Sequence, residues 1–507
     1  MNRRQFLNAT MLTAVTAGAA FPAAVRAGKR AHPNILLILV DDLKPALHGY
    51  GDSTAISPNI DRLMRRGTAF GAAYANQAVC APSRFNLMTG SRSTSTGIYD
   101  FGVNLRDVLP NVVTMPQHFL AAGYRTESMG KVYHIGHGTH DDKLGWSVPH
   151  LRDKLIEYHD PASTGGVPTR EEALFEEVPG GDGDPFVYAR TLAKGAAWEA
   201  TDLPDDAYAD GRTAAYASGR LAALKGQAQP FFLAVGFARP HMPFSVPRRY
   251  WDLYDPASLP MPGFEQLPAG APDYAGKKGG EIEAYREVPA GVLGADFDPD
   301  LKRKLVHGYY ASVSYVDAQI GKVLDALERE GLAEDTIVVL WGDHGFHLGD
   351  HGLWTKHTNF EQATRIPLIF AGLGVGAGKM TGQLAETVDI FPTLAALAGI
   401  AAPAGPQPID GISLAPVLRD PGKRVRDHAY HAYPRGEWMG QAIRTERYRL
   451  VRWTSEKSGA RSWELYDLIA DPLETRNIAD AAPDTRAHLD AILDHHPAPK
   501  KPMRKAA

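Results

Sequence analysis

Residues 32–42 read HPNILLILVDD, an apolar run that ends in two aspartates. The six consecutive apolar residues 35–40 predict a strand buried on both faces, as in the interior of a parallel sheet. Residues 230–241 (PFFLAVGFARPH) and 336–345 (TIVVLWGDHG) repeat this pattern, since each apolar run leads into polar residues that can take part in chemistry. Ligands of parallel sheets bind beyond the carboxyl ends of the strands, so we expect these polar residues at a binding site.

Helical patterns separate the predicted strands. Residues 59–66 and 113–122 show apolar residues at helical spacing, and the pattern is clearest over residues 302–330, where Gly331 follows as a stop signal. Strands that alternate with helices predict an α/β fold, with a mostly parallel sheet flanked by helices.

The pattern changes towards the C-terminus. Residues 442–453 (AIRTERYRLVRW) and 462–474 alternate apolar and polar side chains, which is typical of half-exposed antiparallel strands. We therefore predict a catalytic domain over residues 28–419, a smaller C-terminal α+β domain with an antiparallel sheet over 420–495, and a disordered basic tail over 496–507.

Two loop-rich insertions interrupt the predicted catalytic domain. Residues 160–184 and 259–300 are dense in Gly, Pro, Asp and Glu. Long loops at the ligand face of a sheet often determine specificity, but a plain solvated excursion has the same composition. The sequence leaves these two interpretations open.

The composition is that of a globular protein. The chain has 507 residues, of which 44% are hydrophobic and 22% charged, and its formal net charge of -4 argues against a nucleic-acid partner. No stretch after the N-terminal segment is apolar enough to span a bilayer, so we expect no stable membrane span in the mature chain. A single cysteine excludes an intrachain disulfide.

The N-terminal segment predicts export. Residues 1–27 contain Arg3 and Arg4 side by side, then a mildly apolar run and an A-x-A-like ending. This pattern is typical of a twin-arginine signal peptide, with a general secretory signal or a membrane anchor as alternatives. It predicts the twin-arginine translocase as a partner and a periplasmic or extracellular location. A chain without disulfides suits this route, because it folds in the reducing cytosol.

Acidic residues close two of the predicted strands. Asp41 and Asp42 follow one strand, and Asp343 and His344 follow another. Clustered carboxylates repel each other unless a cation lies between them, and oxygen-rich ligation suits Ca²⁺ or Mg²⁺. For any single aspartate at a strand end, a helix N-cap is the ordinary alternative.

Residues 76–90 (NQAVCAPSRFNLMTG) hold the only cysteine, Cys80. A lone cysteine is usually a small buried hydrophobe. Here it begins the motif Cys-Ala-Pro-Ser-Arg, which resembles that of the formylglycine-dependent sulfatases of the alkaline phosphatase superfamily. The resemblance extends over nearly the whole chain after the signal, through five further blocks: SPNIDRLMRRGTAF (57–70), GKVYH (130–134), ARPHMPF (238–244), GDHGFHLGDHGLWTKH (342–357) and WELYDLIADPLETRNIA (463–479).

One detail is similar to the iduronate-2-sulfatase branch of that family. The common pattern Gly-Lys-x-His has one residue more here, Lys131-Val132-Tyr133-His134. Mammalian members of the branch carry disulfides, which this chain cannot form, and the insertions here look different. The resemblance implies an alkaline-phosphatase-like fold and a sulfuric ester hydrolase.

The resemblance also implies roles for particular residues. A maturation enzyme would convert Cys80 to formylglycine, whose hydrate is the nucleophile and a metal ligand. The other ligands of one Ca²⁺ ion would be Asp41, Asp42, Asp343 and His344, where the histidine replaces a more usual asparagine. The remaining roles are to hold the hydrate (Arg84), bind sulfate oxygens (Lys131 and Lys356), assist proton transfer (His134) and protonate the leaving oxygen (His241).

The leading hypothesis is therefore an exported sulfatase that acts on a sulfated sugar, either a 2-O-sulfated uronic acid or a related sulfated saccharide. A uronate carboxylate needs basic partners, for which the sequence offers His347, His351, His357, Lys277 and Lys278. These histidines could equally order their own loop. Alternative functions are a phosphonate monoester or phosphodiester hydrolase that uses the same formylglycine, an inactive carbohydrate-binding module, and a metal-binding protein with a free Cys80.

Overall fold

The computed structural model describes residues 32–175 and 185–503. The predicted signal peptide, residues 1–27, lies outside the described residues, as do residues 176–184 of the first insertion and residues 504–507 of the tail.

The described residues form strands and helices in alternation. The strands are β1 (Asn34–Val40), β2 (Gly67–Tyr74), β3 (Arg125–Gly130), β4 (Trp198–Thr201), β5 (Phe231–Phe237), β6 (Phe244–Pro247), β7 (Thr336–Gly342), β8 (Arg365–Gly372), β9 (Lys379–Glu386), β10 (Ala429–Arg435), β11 (Trp438–Arg444), β12 (Tyr448–Ser455) and β13 (Arg461–Asp467). The helices are α1 (Pro58–Arg65), α2 (Cys80–Thr89), α3 (Ser93–Thr96), α4 (Leu105–Val108), α5 (Met115–Ala121), α6 (Pro161–Thr164), α7 (Arg170–Phe175), α8 (Pro185–Ala189), α9 (Ala209–Leu224), α10 (Arg248–Trp251), α11 (Pro299–Arg329), α12 (Glu361–Thr364), α13 (Ile390–Ala398), α14 (Ala415–Arg419) and α15 (Pro483–Leu493).

A seven-stranded sheet in the order β3-β5-β1-β7-β8-β2-β9 forms the centre of the protein. Only β8, among the described strands of this sheet, runs antiparallel to its neighbours β7 and β2. The predicted α/β fold with a mostly parallel sheet is therefore confirmed. In the register of the sheet, Val40 at the end of β1 pairs with Phe237 of β5 and Gly342 of β7, so the residues that follow these strands emerge at one edge.

The burial of β1 explains its unbroken apolar sequence. Every residue of β1 is fully buried. Leu36 and Ile38 face one core with α9 and α11, whereas Leu37 and Leu39 face a second core with α2, α5 and α13. Alternate side chains of an extended strand point to opposite faces, so a strand covered by helices on both sides must be apolar throughout.

Two glycines let the polar ends of β3 and β5 approach each other. Gly130 has a φ of 68°, and a Cβ at this position would lie 2.0 Å from the carbonyl oxygen of Gly236. A Cβ on Gly236 would in turn lie 2.1 Å from the carbonyl oxygen of Lys131. Only glycine fits at these two positions, where the two backbone segments touch. This close contact places Lys131 beside the end of β5.

The C-terminal part forms the predicted antiparallel sheet, in the order β10-β11-β12-β13, with α15 packed against it. The first residues of the predicted basic tail are held to the rest of the protein. The Lys500 N–H donates to the carbonyl of Thr94, and the Met503 N–H donates to the carbonyl of Gly97, both at 2.8 Å. This part of the tail is thus in contact rather than free in solution. Among the described helices, none is long and apolar enough to cross a membrane.

We predict that Gly130→Ala lowers the free energy of unfolding by about 2–4 kcal/mol, because the new methyl group meets a backbone oxygen in a left-handed conformation. Thermal melting followed by circular dichroism would measure the change. The matched control is Gly219→Ala within α9, where no atom of a neighbouring residue lies within 4 Å of an added Cβ. That variant should melt at or slightly above the wild-type temperature, and an equal loss in both variants would contradict the close approach at Gly130.

Candidate active site

The residues predicted for catalysis and metal binding meet at the carboxyl edge of the large sheet. They come from the ends of β1, β3, β5 and β7, from the first turns of α2, and from the loop after β7. All are buried, with at most 2% of each residue exposed: Asp41, Asp42, Cys80, Arg84, Lys131, His134, His241, Asp343, His344 and Lys356. Four neighbouring parallel strands thus deliver polar groups to one place, and the sequence analysis predicted three of them, β1, β5 and β7, but not β3.

A group of metal-ligating side chains lies at the centre of the site. One ligand atom from each of Asp41, Cys80, Asp343 and His344 lies within 4.8 Å of the others. The His344 Nδ1–H donates to the carbonyl of Gly345 at 3.0 Å, which leaves Nε2 with its lone pair 3.2 Å from the Cys80 sulfur. Burial lowers the pKa of His344 to about 4, so the ring is neutral, the form that binds metals.

Asp42 belongs to the same acidic group, and its backbone is strained. Its φ is 56°, a conformation that non-glycine residues rarely adopt. The carbonyl of Asp42 accepts a hydrogen bond from the Tyr309 hydroxyl at 2.7 Å, which holds this conformation. The buried Oδ1 of Asp42 has no hydrogen-bond partner among the described residues, although the amine of Lys356 lies 3.2 Å away. A strained carboxylate with a free oxygen is expected where a cation is bound.

The electrostatics of the carboxylates favour a bound cation. Burial, together with the negative charge of Asp41, raises the pKa of Asp343 well above its usual range. Burial would also raise the pKa of Asp41, but the charges of Lys131, His241 and Arg84 outweigh it and hold this pKa well below its usual range. Two carboxylates in one site cannot both ionise freely unless positive charge is added. Oxygen-rich ligation with one neutral imidazole fits a hard divalent ion such as Ca²⁺.

Arg84 connects the strand ends to α2. Its guanidinium contacts the Asp343 carboxylate at 2.9 Å and the Asp41 carboxylate at 3.4 Å. The same group donates hydrogen bonds to the carbonyls of Lys131 and Val132 after β3. These protein acceptors engage most of its donors, so Arg84 fixes the positions of the acidic ligands relative to Cys80.

The two lysines expected at the sulfate pair with different aspartates of the acidic group. The amine of Lys131 pairs with Asp41 and lies 4.8 Å from the ring centre of Phe175. The amine of Lys356 lies 3.2 Å from Asp42 and 2.7 Å from Glu281. Burial lowers the pKa of a lysine, but the neighbouring charges of Asp42 and Glu281 outweigh it and raise the pKa of Lys356 well above its usual range.

His241 and His134 stand near these lysines. The His241 Nδ1–H donates to the carbonyl of Met242 at 2.6 Å, and its Nε2 lies 2.9 Å from Glu281. The Nε2 of His134 lies 3.0 Å from the Nδ1 of His137. Burial and the charge of Lys131 lower the pKa of His134 well below its usual range, so this ring is neutral.

Cys80 begins α2 as a buried thiol. Burial raises its pKa well above the usual range, and the charge of Asp41 adds to this effect. The unmodified side chain is therefore a neutral thiol, which is a weak nucleophile. The geometry offers no thiolate for chemistry in the chain as it is encoded.

Several residues that the sequence analysis missed also line the site. Glu281 and Phe175 come from the two predicted insertions, Arg435 comes from β10 of the C-terminal sheet, and His137 follows the β3 loop. None belongs to the motifs that flank the strands. Their loop composition carried no signal that distinguishes them from their neighbours.

The basic residues considered for a substrate carboxylate divide into two groups. His347 bonds Thr358 and the Asp350 carbonyl within its own loop, whereas His351 bonds the carbonyl of Leu473, which follows β13 in the C-terminal part. His357 lies beside Lys356 and contacts the amine of Lys277. Lys278 lines a neighbouring cavity of about 330 Å³.

A comparison with protein families identifies this arrangement. The sequence model of the sulfatase family matches residues 33–400. The chain belongs to the sulfatase family. A model described as N-sulphoglucosamine sulphohydrolase, C-terminal, matches residues 349–495. Human iduronate 2-sulfatase is 33% identical in an alignment of 517 positions, gaps included, that covers 88% of this chain and 90% of the human protein. The protein is therefore a sulfuric ester hydrolase.

Solved structures share the fold of this sulfatase. A protein in complex with its substrate D-glucosamine-2-N,6-O-disulfate has a TM-score of 0.70 at 22% identity, covering 91% of this chain and 97% of its own. The phosphonate monoester hydrolase of Agrobacterium radiobacter has a TM-score of 0.66 at 22% identity, covering 91% and 95%. At these identities the likeness establishes the fold alone.

We predict that Ca²⁺ raises the melting temperature of chelator-treated protein, because it relieves the repulsion among buried carboxylates. At a Ca²⁺ concentration 100 times the dissociation constant the gain is about 2.7 kcal/mol. Asp42→Asn should abolish most of this gain in stability. Asp325→Asn is the matched control, since Asp325 is an exposed partner of Arg62.

The Ca²⁺ effect should depend on pH. In the metal-free protein the raised pKa of Asp343 favours folding at low pH, and this contribution is lost as the pH rises through that pKa. Protons and Ca²⁺ compete for Asp343, so the gain from Ca²⁺ should shrink on acidification. A melting temperature that does not change when Ca²⁺ is added at neutral pH would exclude the metal site.

Proposed function

We propose that this protein is an exported sulfatase that hydrolyses the sulfate ester of a 2-O-sulfated uronic acid, using formylglycine at Cys80 and a bound Ca²⁺ ion. The observation that carries the proposal is the meeting of Cys80, three carboxylates, two lysines and His241 in one buried site. Its similarity to human iduronate 2-sulfatase supports the choice of a uronate.

The acidic group would hold the cation. Asp41, Asp42, Asp343 and His344 offer the ligand atoms, and Ca²⁺ bound there supplies positive charge that polarises a sulfate group. Formylglycine at position 80 supplies, as its hydrate, a nucleophile that a neutral thiol cannot replace. Arg84 acts by keeping Asp41, Asp343 and the start of α2 in register.

The basic side chains would bind and protonate the ester. Lys131 and Lys356, which contact different aspartates of the acidic group, pair with sulfate oxygens as point charges. His241 is fixed through its Nδ1–H, so its Nε2 faces the site and can donate a proton to the leaving oxygen. The neutral ring of His134, next to Lys131, can accept a proton there.

A second group of basic side chains supports a substrate with its own carboxylate. Lys277, His357 and Arg435 lie together, with the Arg435 guanidinium donating to the His357 carbonyl. Burial and the charge of Arg435 lower the pKa of Lys277 to about 8, and burial and the charge of Lys277 lower the pKa of His357 well below its usual range.

Within the described residues no direct ion pair balances this second group, although the charges of Glu281 and Asp100 act on Lys277. No carboxylate of the described residues forms an ion pair with Lys277 or Arg435, and the buried Nε of Arg435 has no hydrogen-bond partner among them. Lys277 and Arg435 repel each other beside Lys356, and a bound anion would relieve this repulsion. A uronate carboxylate attached to the sulfated ring would supply that anion at the correct place.

Export and maturation belong to the same proposal. The twin-arginine signal over residues 1–27 would deliver the folded protein to the periplasm or the medium. A formylglycine-generating enzyme and the translocase are then required partners. The catalytic domain over residues 28–419, the C-terminal domain over 420–495 and the tail remain proposed boundaries.

We predict that protein from its native host carries formylglycine at position 80. Mass spectrometry of the peptide that contains Cys80 and Arg84 would detect an aldehyde in place of the thiol. Cys80→Ala should abolish turnover and retain the fold, because the lost volume is small. Full activity of protein that carries only unmodified cysteine would disprove this mechanism.

We predict that a 2-O-sulfated uronate disaccharide has the highest kcat/KM in a panel with a 6-O-sulfated amino sugar, an aryl sulfate and a phosphonate monoester. Arg435→Gln and Lys277→Gln should each lower the value for the uronate at least about tenfold, equivalent to about 1.4 kcal/mol. Both should leave the aryl sulfate nearly unchanged. Arg447→Gln, at an exposed arginine that pairs with Asp467, is the control.

The panel also separates the alternatives. A uronate whose carboxylate is replaced by a hydroxymethyl group should lose the advantage, and the Arg435 and Lys277 variants should then behave as wild type. If the amino sugar has the highest value, the uronate assignment is wrong and the sulfatase remains. If the phosphonate has the highest value, the protein is a phosphonate monoester hydrolase on the shared fold.

A further inference from the structure

Glu281 closes the site on its solvent side. It begins the short helical turn Glu281–Ala284 within the second insertion. One carboxylate oxygen lies 2.7 Å from the Lys356 amine, and the other lies 2.9 Å from the His241 Nε2. The Glu281 side chain is 26% exposed, whereas those of Lys356 and His241 are 1% and 2% exposed. Glu281 therefore lies between these two buried basic side chains and the solvent.

The charge of Glu281 is separate from the metal-binding group. Its oxygens do not join the groups of candidate ligand atoms that the described residues form around Cys80. Burial would raise its pKa, but the charges of His241 and Lys356 outweigh this and hold the pKa well below its usual range. Glu281 is thus an anion at neutral pH, and a bound cation would not cancel it.

The contact with His241 brings this anion next to the reacting group. The Nδ1–H of His241 is taken by the Met242 carbonyl, so only Nε2 can face a ligand. A single proton at Nε2 cannot be given to Glu281 and to the leaving oxygen of an ester at the same time. The carboxylate oxygen that now faces Nε2 must therefore lie beside the ester when the ester binds.

The repulsion from this carboxylate depends on the charge of the ester. A sulfate monoester carries one negative charge. A phosphate monoester has a second pKa of about 6 and carries nearly two at neutral pH. Coulomb repulsion is proportional to charge, so a fixed anion beside the transferred group penalises the phosphate ester more.

We propose that Glu281 is a specificity-determining residue, whose negative charge between Lys356 and His241 makes this site favour monoanionic sulfate esters over dianionic phosphate esters. The inference rests on the proposed function only in taking Lys356 and His241 as the groups that hold the ester. It assigns to the second insertion a role in selecting the ester at the solvent side of the site.

The first test compares 4-nitrophenyl sulfate with 4-nitrophenyl phosphate at pH 8, where the phosphate is a dianion. Glu281→Gln should shift the ratio of the two kcat/KM values towards the phosphate by about tenfold or more. Glu281→Asp keeps the charge and should restore most of the preference for sulfate. Glu283→Gln is the matched control, because Glu283 lies two residues away and accepts a hydrogen bond from Gly291.

The second test is independent of turnover. Calorimetric titration of the full chain with unmodified Cys80, in the presence of Ca²⁺, would compare methyl sulfate with methyl phosphate. Glu281→Gln should strengthen binding of the phosphate several-fold more than binding of the sulfate. Thermal melting of each variant shows that it is folded.

The outcomes separate this inference from the proposed function. An equal change for both esters in Glu281→Gln would show that Glu281 only positions His241 and would overturn the inference, as would no change at all. If the wild type hydrolyses no sulfate ester, the proposed function fails. The binding comparison then still decides whether Glu281 discriminates by charge.

Discussion

The site depends on the ion pairs and hydrogen bonds of the buried Arg84 guanidinium. It is fully buried and pairs with Asp41 after β1 and with Asp343 after β7, while it also bonds the backbone after β3. A buried charge is tolerated only when it is paired and hydrogen-bonded, so the three strand ends cannot move independently. Because Arg84 is part of α2, the same contacts fix Cys80 relative to the acidic residues.

This rigidity matters because the site gathers like charges. Asp41, Asp42 and Asp343 are buried together, and burial and their mutual repulsion raise the pKa of Asp343. A hard cation between these carboxylates would attract each of them and so offset their mutual repulsion. A preorganised set of charges needs little rearrangement during a reaction, which is the main source of electrostatic catalysis. The scaffold therefore serves the chemistry by preventing the carboxylates from separating.

The parts outside the sheet complete the site. Phe175 and Glu281 come from the two insertions, and Arg435 comes from the C-terminal sheet. They surround the buried lysines and histidines rather than the acidic centre. This division suggests that the strand ends carry the chemistry of sulfate transfer, while the insertions and the C-terminal sheet select the molecule that bears the sulfate.

The sequence by itself determined the strands β1, β5 and β7 and the polar residues that follow them. Those residues are adjacent to their strands in the chain, and parallel strands end at one edge. The packing of helices on both faces was likewise visible in the fully apolar β1. The sequence did not reveal the reversed β8 or the places of Glu281, Phe175 and Arg435. It also left open that His347 bonds within its own loop and that His351 bonds the Leu473 carbonyl beyond β13. Those features depend on the path of long loops and on contacts between residues far apart in the chain, which only the packed tertiary structure decides.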